Sequence, residues 1–127
     1  MIIGIGVDLC RISRVEKILE REGADGAFFR RTFTQEERHE AETRHNLAEY
    51  YAARFAVKEA VFKAVSPSVK SGPDLRTIES LHRADGSPYV NINAELAPFL
   101  EEAGIRTLHL SVTTEGDLAQ AFVVAEG

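Results

Sequence analysis

Ala52-Ala53-Arg54-Phe55-Ala56-Val57-Lys58-Glu59-Ala60-Val61-Phe62-Lys63-Ala64-Val65 is the stretch on which the reading of this chain turns. Asn46-Leu47-Ala48-Glu49 just before it has the Asx-x-x-Glu form of a helix start, so a helix is predicted from Leu47 to Val65. Pro67 disfavours helical geometry in the residue before it, which predicts a stop at Ser66. At 100° per residue the apolar side chains cover more than half the circumference, the pattern of a buried helix. Yet Glu59 and Lys63 sit one turn apart on the remaining arc, and Arg54 and Lys58 form a second polar pair. Buried charges are costly unless each has a partner or an ion. Spacing alone leaves two readings of Glu59–Lys63: an i,i+4 salt bridge on an exposed strip, or part of a site.

Composition sets the frame around that helix. At 127 residues the chain is one domain, with 44% hydrophobic and 28% charged residues, ordinary for a globular protein. A formal net charge of −5 argues against general nucleic-acid binding and against a polybasic membrane anchor. The single cysteine, Cys10, excludes an internal disulfide and a cysteine-based zinc cluster, and reads as a small packed hydrophobe. No run approaches a membrane span and no signal peptide is evident, so a cytoplasmic location is expected.

Working outward, Ile2 to Leu9 reads as an apolar, β-branched, buried strand. Its Gly4-x-Gly6 lies within the strand pattern, without the third glycine and helix opening of a dinucleotide fingerprint, and marks a bulge or close packing. Asp8, an acid at the end of this strand, either caps the following turn or binds something there. Arg11 to Glu22 is an amphipathic helix closed by Gly23, with Arg14, Lys17 and Arg21 gathered on one strip. That strip is either an ordinary solvated face or, in an acidic protein, a dock for an acidic helix. Phe28, Phe29 and Phe33 pin an irregular segment to the core. Thr34-Gln35-Glu36-Glu37 is a capping box opening a charged helix to about Arg44, and His39 and His45 read as surface residues.

Beyond the central helix, Ser66 to Pro73 is a loop rich in turn residues. Thr77 to Arg83 and Tyr89 to Ile92 form a hairpin through Asp85-Gly86-Ser87-Pro88. Asn93 caps a helix over Ala94 to Ala103, with Pro98 as a defect in its middle. Strands over Thr107 to Thr113 and Leu118 to Ala125 complete the order β-α-α-α-β-β-α-β-β. The predicted class is α+β, a mostly antiparallel sheet packed around one long buried helix.

Asp8 and Glu59 are the two acids hardest to explain as solvated surface. Should they converge, they make a site for a hard divalent cation; magnesium uses one or two carboxylates and completes its shell with water and phosphates. Lys63, one turn on, would face the same phosphates, a set suited to phosphoryl-group chemistry.

Ile3-Gly4-Ile5-Gly6-Val7-Asp8, followed by Arg54-Phe55-x-x-Lys58-Glu59-x-x-x-Lys63, resembles the holo-acyl-carrier-protein synthases of the 4′-phosphopantetheinyl transferase superfamily. The likeness continues through Gly86-x-Pro88, Gly104-Ile105, Leu108 to Ser111 and Ala119 to Ala125, essentially the whole chain. The resemblance implies transfer of the 4′-phosphopantetheine arm of coenzyme A to a serine of an acyl carrier protein, releasing adenosine 3′,5′-bisphosphate. The carrier would belong to fatty-acid or secondary-metabolite synthesis. It assigns Asp8 and Glu59 to Mg2+, and Glu59 and Lys63 to catalysis. Arg54, Lys63, Ser66, Pro88 and Thr113 fall to the coenzyme A side, and Arg14, Lys17 and Arg21 to carrier docking. It further implies a homotrimer with each active site shared between neighbouring subunits.

Two places depart from the family. Ser66-Pro67-Ser68 replaces Gly-Thr-Gly, and Thr113-Thr114 replaces Ser-His. Both fall on the coenzyme A side, implying altered nucleotide contacts with the reaction type retained. The rival readings are a non-catalytic relative that docks a carrier without turnover, and a structural trimer subunit that binds no nucleotide.

Overall fold

In the computed structural model, which describes all of residues 1–127, the central helix α4 spans Leu47–Val65. The Asn46 side chain accepts from the Glu49 N–H at 3.0 Å, fixing the start as the sequence predicts. Around it the chain runs β1 (Ile2–Arg11), α1 (Ile12–Glu22), α2 (Ala27–Thr32), α3 (Gln35–Ala41), then α4. After α4 come β2 (Glu79–His82), β3 (Pro88–Asn91), α5 (Ala97–Ala103), β4 (Thr107–Glu115) and β5 (Leu118–Glu126). This is the predicted α+β class. β1, β5 and β4 form an antiparallel sheet in that order, and β2 and β3 a separate hairpin ladder.

The sheet can lie close to α4 because both surfaces are made of small residues. Ala119, Ala121, Val123 and Ala125 of β5 are fully buried, facing Ala56, Val57, Ala60 and Val61 within one continuous core. In β1 a Cβ on Gly4 would overlap the Ala64 carbonyl oxygen, and one on Gly6 the Ala60 carbonyl oxygen. The two glycines therefore let the strand rest on the helix backbone. Around the other side of α4, Phe29 and Phe33 pack against Tyr51 with tilted rings, centroids 4.8 and 4.7 Å away.

Several local expectations change. β1 buries one face only: Ile5, Val7 and Leu9 are exposed, because within one chain nothing covers the sheet opposite α4. β1 also continues past Asp8 to Arg11, held by pairing to Leu118, so Asp8 lies inside the strand and not at its end. The segment of Phe28 and Phe29 is a six-residue helix, too short to show a period in sequence. α3 ends at Ala41, short of Arg44. α4 ends at Val65 as predicted, although Ser66 keeps helical angles (φ −54, ψ −38) and a 3₁₀ turn over Ser66–Ser68 continues from it. Pro67 fits there because the first turn needs no N–H from it. The same reasoning explains α5. Pro98 sits in its first turn, and the predicted opening, 94–96, is a turn in which Asn93 Oδ1 accepts from the Glu95 and Leu96 N–H groups. β2 begins at Glu79, preceded by a 3₁₀ turn over Leu75–Thr77.

Candidate active site

Gly4, Gly6, Asp8 and Cys10 alternate on the face of β1 turned toward α4. The close approach at Gly4 and Gly6 carries Asp8 to the helix, where it meets Lys63. The Lys63 Nζ donates to Asp8 Oδ1 at 2.9 Å and to the Val7 carbonyl at 3.0 Å. The i,i+4 bridge from Glu59 to Lys63 is thus replaced by a bridge from strand to helix. Glu59 is half-buried on the same flank. Burial first, and then the Asp8 charge, push its carboxyl above the ordinary glutamate range, while Lys63 and Arg14 pull it down.

Two carboxylates close enough to repel one another, with Glu59 outside any ion pair, fit a cation. No cluster of three or more histidine, cysteine or acidic side chains forms anywhere in the chain. A pair of oxygen donors with open positions suits magnesium, which retains waters and takes up substrate oxygens, better than calcium or zinc, whose sites use more protein ligands.

On the next flank of α4 a cleft of about 470 Å³ is lined by Arg44, Arg54, His82, Pro88, Thr113 and Thr114, among others. Arg54 is 2% exposed, packs over the Tyr50 ring with its Cζ 5.3 Å from the centroid, and takes part in no ion pair. Its Nη1 lies 2.9 Å from His82 Nε2, while its buried Nε has no partner. Burial pulls its affinity for the proton down, though a guanidinium stays charged. A buried cation with no paired anion, at the wall of a cleft, is a standing attraction for phosphate.

The remaining charges of α4 have a different purpose. Lys58 Nζ, fully buried, donates to Glu37 Oε1 at 2.7 Å and to the carbonyls of Ile78 at 2.6 Å and Leu75 at 3.0 Å. Glu37 in turn accepts from the N–H groups of Thr34 and Ser80, both at 2.9 Å. The predicted capping box is therefore formed, and its glutamate is also the partner that makes a buried lysine tolerable. Arg54 and Lys58 are not a pair.

Arg14, Lys17 and Arg21 are exposed and line a shallow depression along α1 with Arg11 and Ser13. Arg14 stacks on Phe55 of α4, 5.7 Å from the ring centroid. The helix start is fixed from the far end of the chain. Asp117, in the β4–β5 turn, accepts from Ser13 N at 2.8 Å and Ser13 Oγ at 2.6 Å, and those bonds hold its carboxyl below the usual range.

Of the residues singled out in sequence, Asp8, Glu59 and Lys63 come together, with Arg14 beside them. Arg54, Pro88 and Thr113 meet in the cleft. Ser66 joins neither group within one chain: its hydroxyl donates to the Phe62 carbonyl at the end of α4. Lys63 likewise lies with Asp8 and not in the cleft. Glu40, His82 and Asp117 carry no local motif, and the contacts that give them a role, Glu40 with His82 and Asp117 with Ser13, span long separations, so the sequence does not single them out.

The model of the 4′-phosphopantetheinyl transferase superfamily matches residues 4–123, and the chain belongs to that superfamily. It is 40% identical over 130 residues to a holo-[acyl-carrier-protein] synthase of Caulobacter sp. (strain K31), covering 99% of this chain and 96% of the relative. The crystal structure of the Neisseria meningitidis holo-[acyl-carrier-protein] synthase superposes with a TM-score of 0.86 at 37% identity, over the full length of both chains. A Bacillus anthracis holo-(acyl-carrier-protein) synthase in complex with CoA (3′,5′-ADP) matches with a TM-score of 0.74 at 32% identity, covering 99% of this chain and 97% of that one.

Proposed function

We propose that this protein transfers the 4′-phosphopantetheine group of coenzyme A to a serine of an acyl carrier protein, with Mg2+ at Asp8 and Glu59. The observation that carries the reading is the meeting of those two carboxylates with Lys63 where β1 lies on α4. It is supported by relatives named for that activity and by solved relatives holding coenzyme A.

In the transfer, the serine oxygen forms a bond to the phosphorus that bears pantetheine, and the bond from that phosphorus to the adenosine bisphosphate oxygen breaks. Glu59, a carboxyl whose proton affinity is raised, accepts the serine proton. Lys63, already at hydrogen-bond distance from Asp8, donates to the departing phosphate oxygen. Magnesium, when bound, would draw charge from the pyrophosphate. Arg54 receives the nucleotide phosphates, with Pro88 and Thr113 on the same wall.

The strip of Arg14, Lys17 and Arg21 receives an acidic helix of the carrier protein, and its nearness to Glu59 delivers the serine to the base. Arg14→Glu is expected to slow carrier association about tenfold at low salt, the deficit shrinking as ionic strength rises.

The active unit is a homotrimer with sites at subunit contacts. Two features favour it: the carboxylate site and the cleft occupy separate flanks of one chain, and the outer sheet face exposes Ile5, Val7, Leu9 and Phe122 as a patch. Sedimentation equilibrium should give three times the 14.0 kDa chain mass. Activity in the cytoplasm accords with an enzyme whose one cysteine is free and buried. No helix is long and apolar enough to cross a membrane.

Mass spectrometry of apo-carrier protein incubated with coenzyme A, magnesium and the enzyme tests the whole reading. A gain of one phosphopantetheine is expected. No mass gain on several carriers would end it and leave a carrier-docking protein without turnover.

A further inference from the structure

Arg54 depends for its place in the cleft on a residue with no motif of its own. His82 stands between a carboxylate and a guanidinium: Nδ1 is 2.8 Å from Glu40 Oε1, and Arg54 Nη1 is 2.9 Å from Nε2 and 3.3 Å from Nδ1. Arginine only donates, so Nε2, the ring nitrogen nearer Arg54, carries the lone pair that best serves it. A carboxylate only accepts, so the nitrogen facing Glu40 must carry the hydrogen. This tautomer satisfies the two shortest contacts of the ring, whereas the other would set a lone pair against the carboxylate at 2.8 Å and N–H against N–H at 2.9 Å. A doubly protonated ring would confront two arginines, Arg54 and Arg44, whose Nη2 lies 3.2 Å from Nδ1 at the ring edge.

Glu40 is built to hold this ring. Its Oε2 accepts from the His82 backbone N–H at 3.0 Å, and its Oε1 also accepts from the Tyr50 hydroxyl at 2.7 Å. Tyr50 in turn supplies the ring under Arg54. Burial works to raise the Glu40 carboxyl, but the bonds from His82 and Tyr50 outweigh it and hold the group ionised below its usual range. Both contacts that orient Arg54, the His82 nitrogen and the Tyr50 face, therefore trace back to one carboxylate on α3.

We propose that His82, held by Glu40, is the positioning residue that aims Arg54 at a phosphate in the cleft. It acts on binding of the anionic ligand through Arg54 and takes no part in bond making. This rests on coenzyme A being that ligand, as proposed above. A carboxamide reproduces the imidazole's pattern of one donor and one acceptor, whereas leucine keeps the bulk and supplies neither.

The test is steady-state transfer at saturating carrier protein, with coenzyme A varied and unfolding midpoints recorded for each variant. His82→Leu should raise KM for coenzyme A about tenfold with kcat within about twofold, the effect of losing one hydrogen bond to a charged group. His82→Gln should restore KM to within about threefold of the unaltered protein. In an Arg54→Lys background, His82→Leu should have no further effect, because the group it aims is gone. Should His82→Leu prove unstable, Glu40→Gln is the second probe. It is isosteric but cannot accept from both the ring and the two other donors, so KM should rise about threefold.

An unchanged KM in His82→Leu, or a His82→Gln variant as impaired as the leucine, would overturn the positioning role. Equal effects of His82→Leu with and without Arg54 would do the same. Failure of the unaltered protein to be saturated by coenzyme A would instead strike at the function itself.

Discussion

Two ion pairs on neighbouring turns of α4 have opposite characters. Lys58 and Glu37 are fully buried, and Lys58 Nζ and both Glu37 oxygens have close partners within the fold. Lys63 and Asp8 meet at the surface, with Lys63 half exposed and a second carboxylate, Glu59, whose ionisation burial and then Asp8 oppose and Lys63 favours. The first pair has nothing left to bind. The second leaves Glu59 outside any ion pair and Lys63 half exposed, so an oxygen donor for a cation and an N–H donor for a phosphate both remain. Charge on a buried helix thus divides by how completely it is satisfied: a closed network holds the fold, an open one is free for chemistry.

Removing the open pair's chemistry should give the largest effect. Glu59→Gln is expected to lower transfer about a thousandfold, since on the proposed function a proton acceptor and a metal donor would be lost together, with the melting temperature nearly unchanged. Asp8→Asn should behave alike. Full-rate transfer by Glu59→Gln would mean the open site is not the reaction centre.

The closed pair should respond in the opposite sense. Lys58→Met leaves Glu37 ionised and buried without its cation, which should destabilise the protein by about 3–5 kcal/mol in urea unfolding. At temperatures where the variant is folded, its affinity for coenzyme A should be unchanged. A stable Lys58→Met that loses ligand binding would erase the distinction between the two pairs.

A smaller loss, on the order of 1–3 kcal/mol, is expected for Gly6→Ala, because the new methyl group meets the Ala60 carbonyl. Unlike Lys58→Met, it should also weaken magnesium binding, by pushing Asp8 away from α4. Calorimetric magnesium titration of the folded variant would separate the two effects.

Acidity should sharpen the comparison most gently. The Glu59 carboxyl is raised mainly by burial and then by Asp8, so its proton competes with magnesium at higher pH than for an ordinary glutamate. Magnesium affinity should therefore fall as pH drops through that raised range, and the fall should begin at lower pH in Asp8→Asn. The sign for stability is reversed: ionising a carboxyl whose folded value is raised costs stability as pH increases through it, and magnesium should remove that cost. Thermal unfolding across pH, with and without magnesium, reads both.

How much of this was legible in sequence varied with range. The Asn46 cap, the Thr34–Glu37 capping box and the small apolar residues of α4 act within a few positions, so their outcomes matched expectation. The stop of α4 at Val65 before Ser66-Pro67 also matched, whereas Pro98, expected as a defect in mid-helix, sits in the first turn of α5, where an N–H has no use. The apolar face of β1 was expected to be buried, but a strand's pattern does not say whether its second face is covered by its own chain. Asp8, Glu59 and Lys63 stood out as acids and a base in apolar surroundings. His82 and Asp117 did not, because their partners lie 28 or more positions away, and Glu40 did not because what sets its role is His82, 42 positions on.

By itself the sequence determined the elements, the α+β class and the presence of charges that a buried helix must account for, since periodicity, caps and turn residues are local. Only the tertiary structure decided which charge answers which: that Lys58 belongs to Glu37, Lys63 to Asp8, and Arg54 to His82. The reason is physical. Pairing energies depend on distance and on exclusion of water, and both are set by how closely β1, α3 and β2 come to lie on α4.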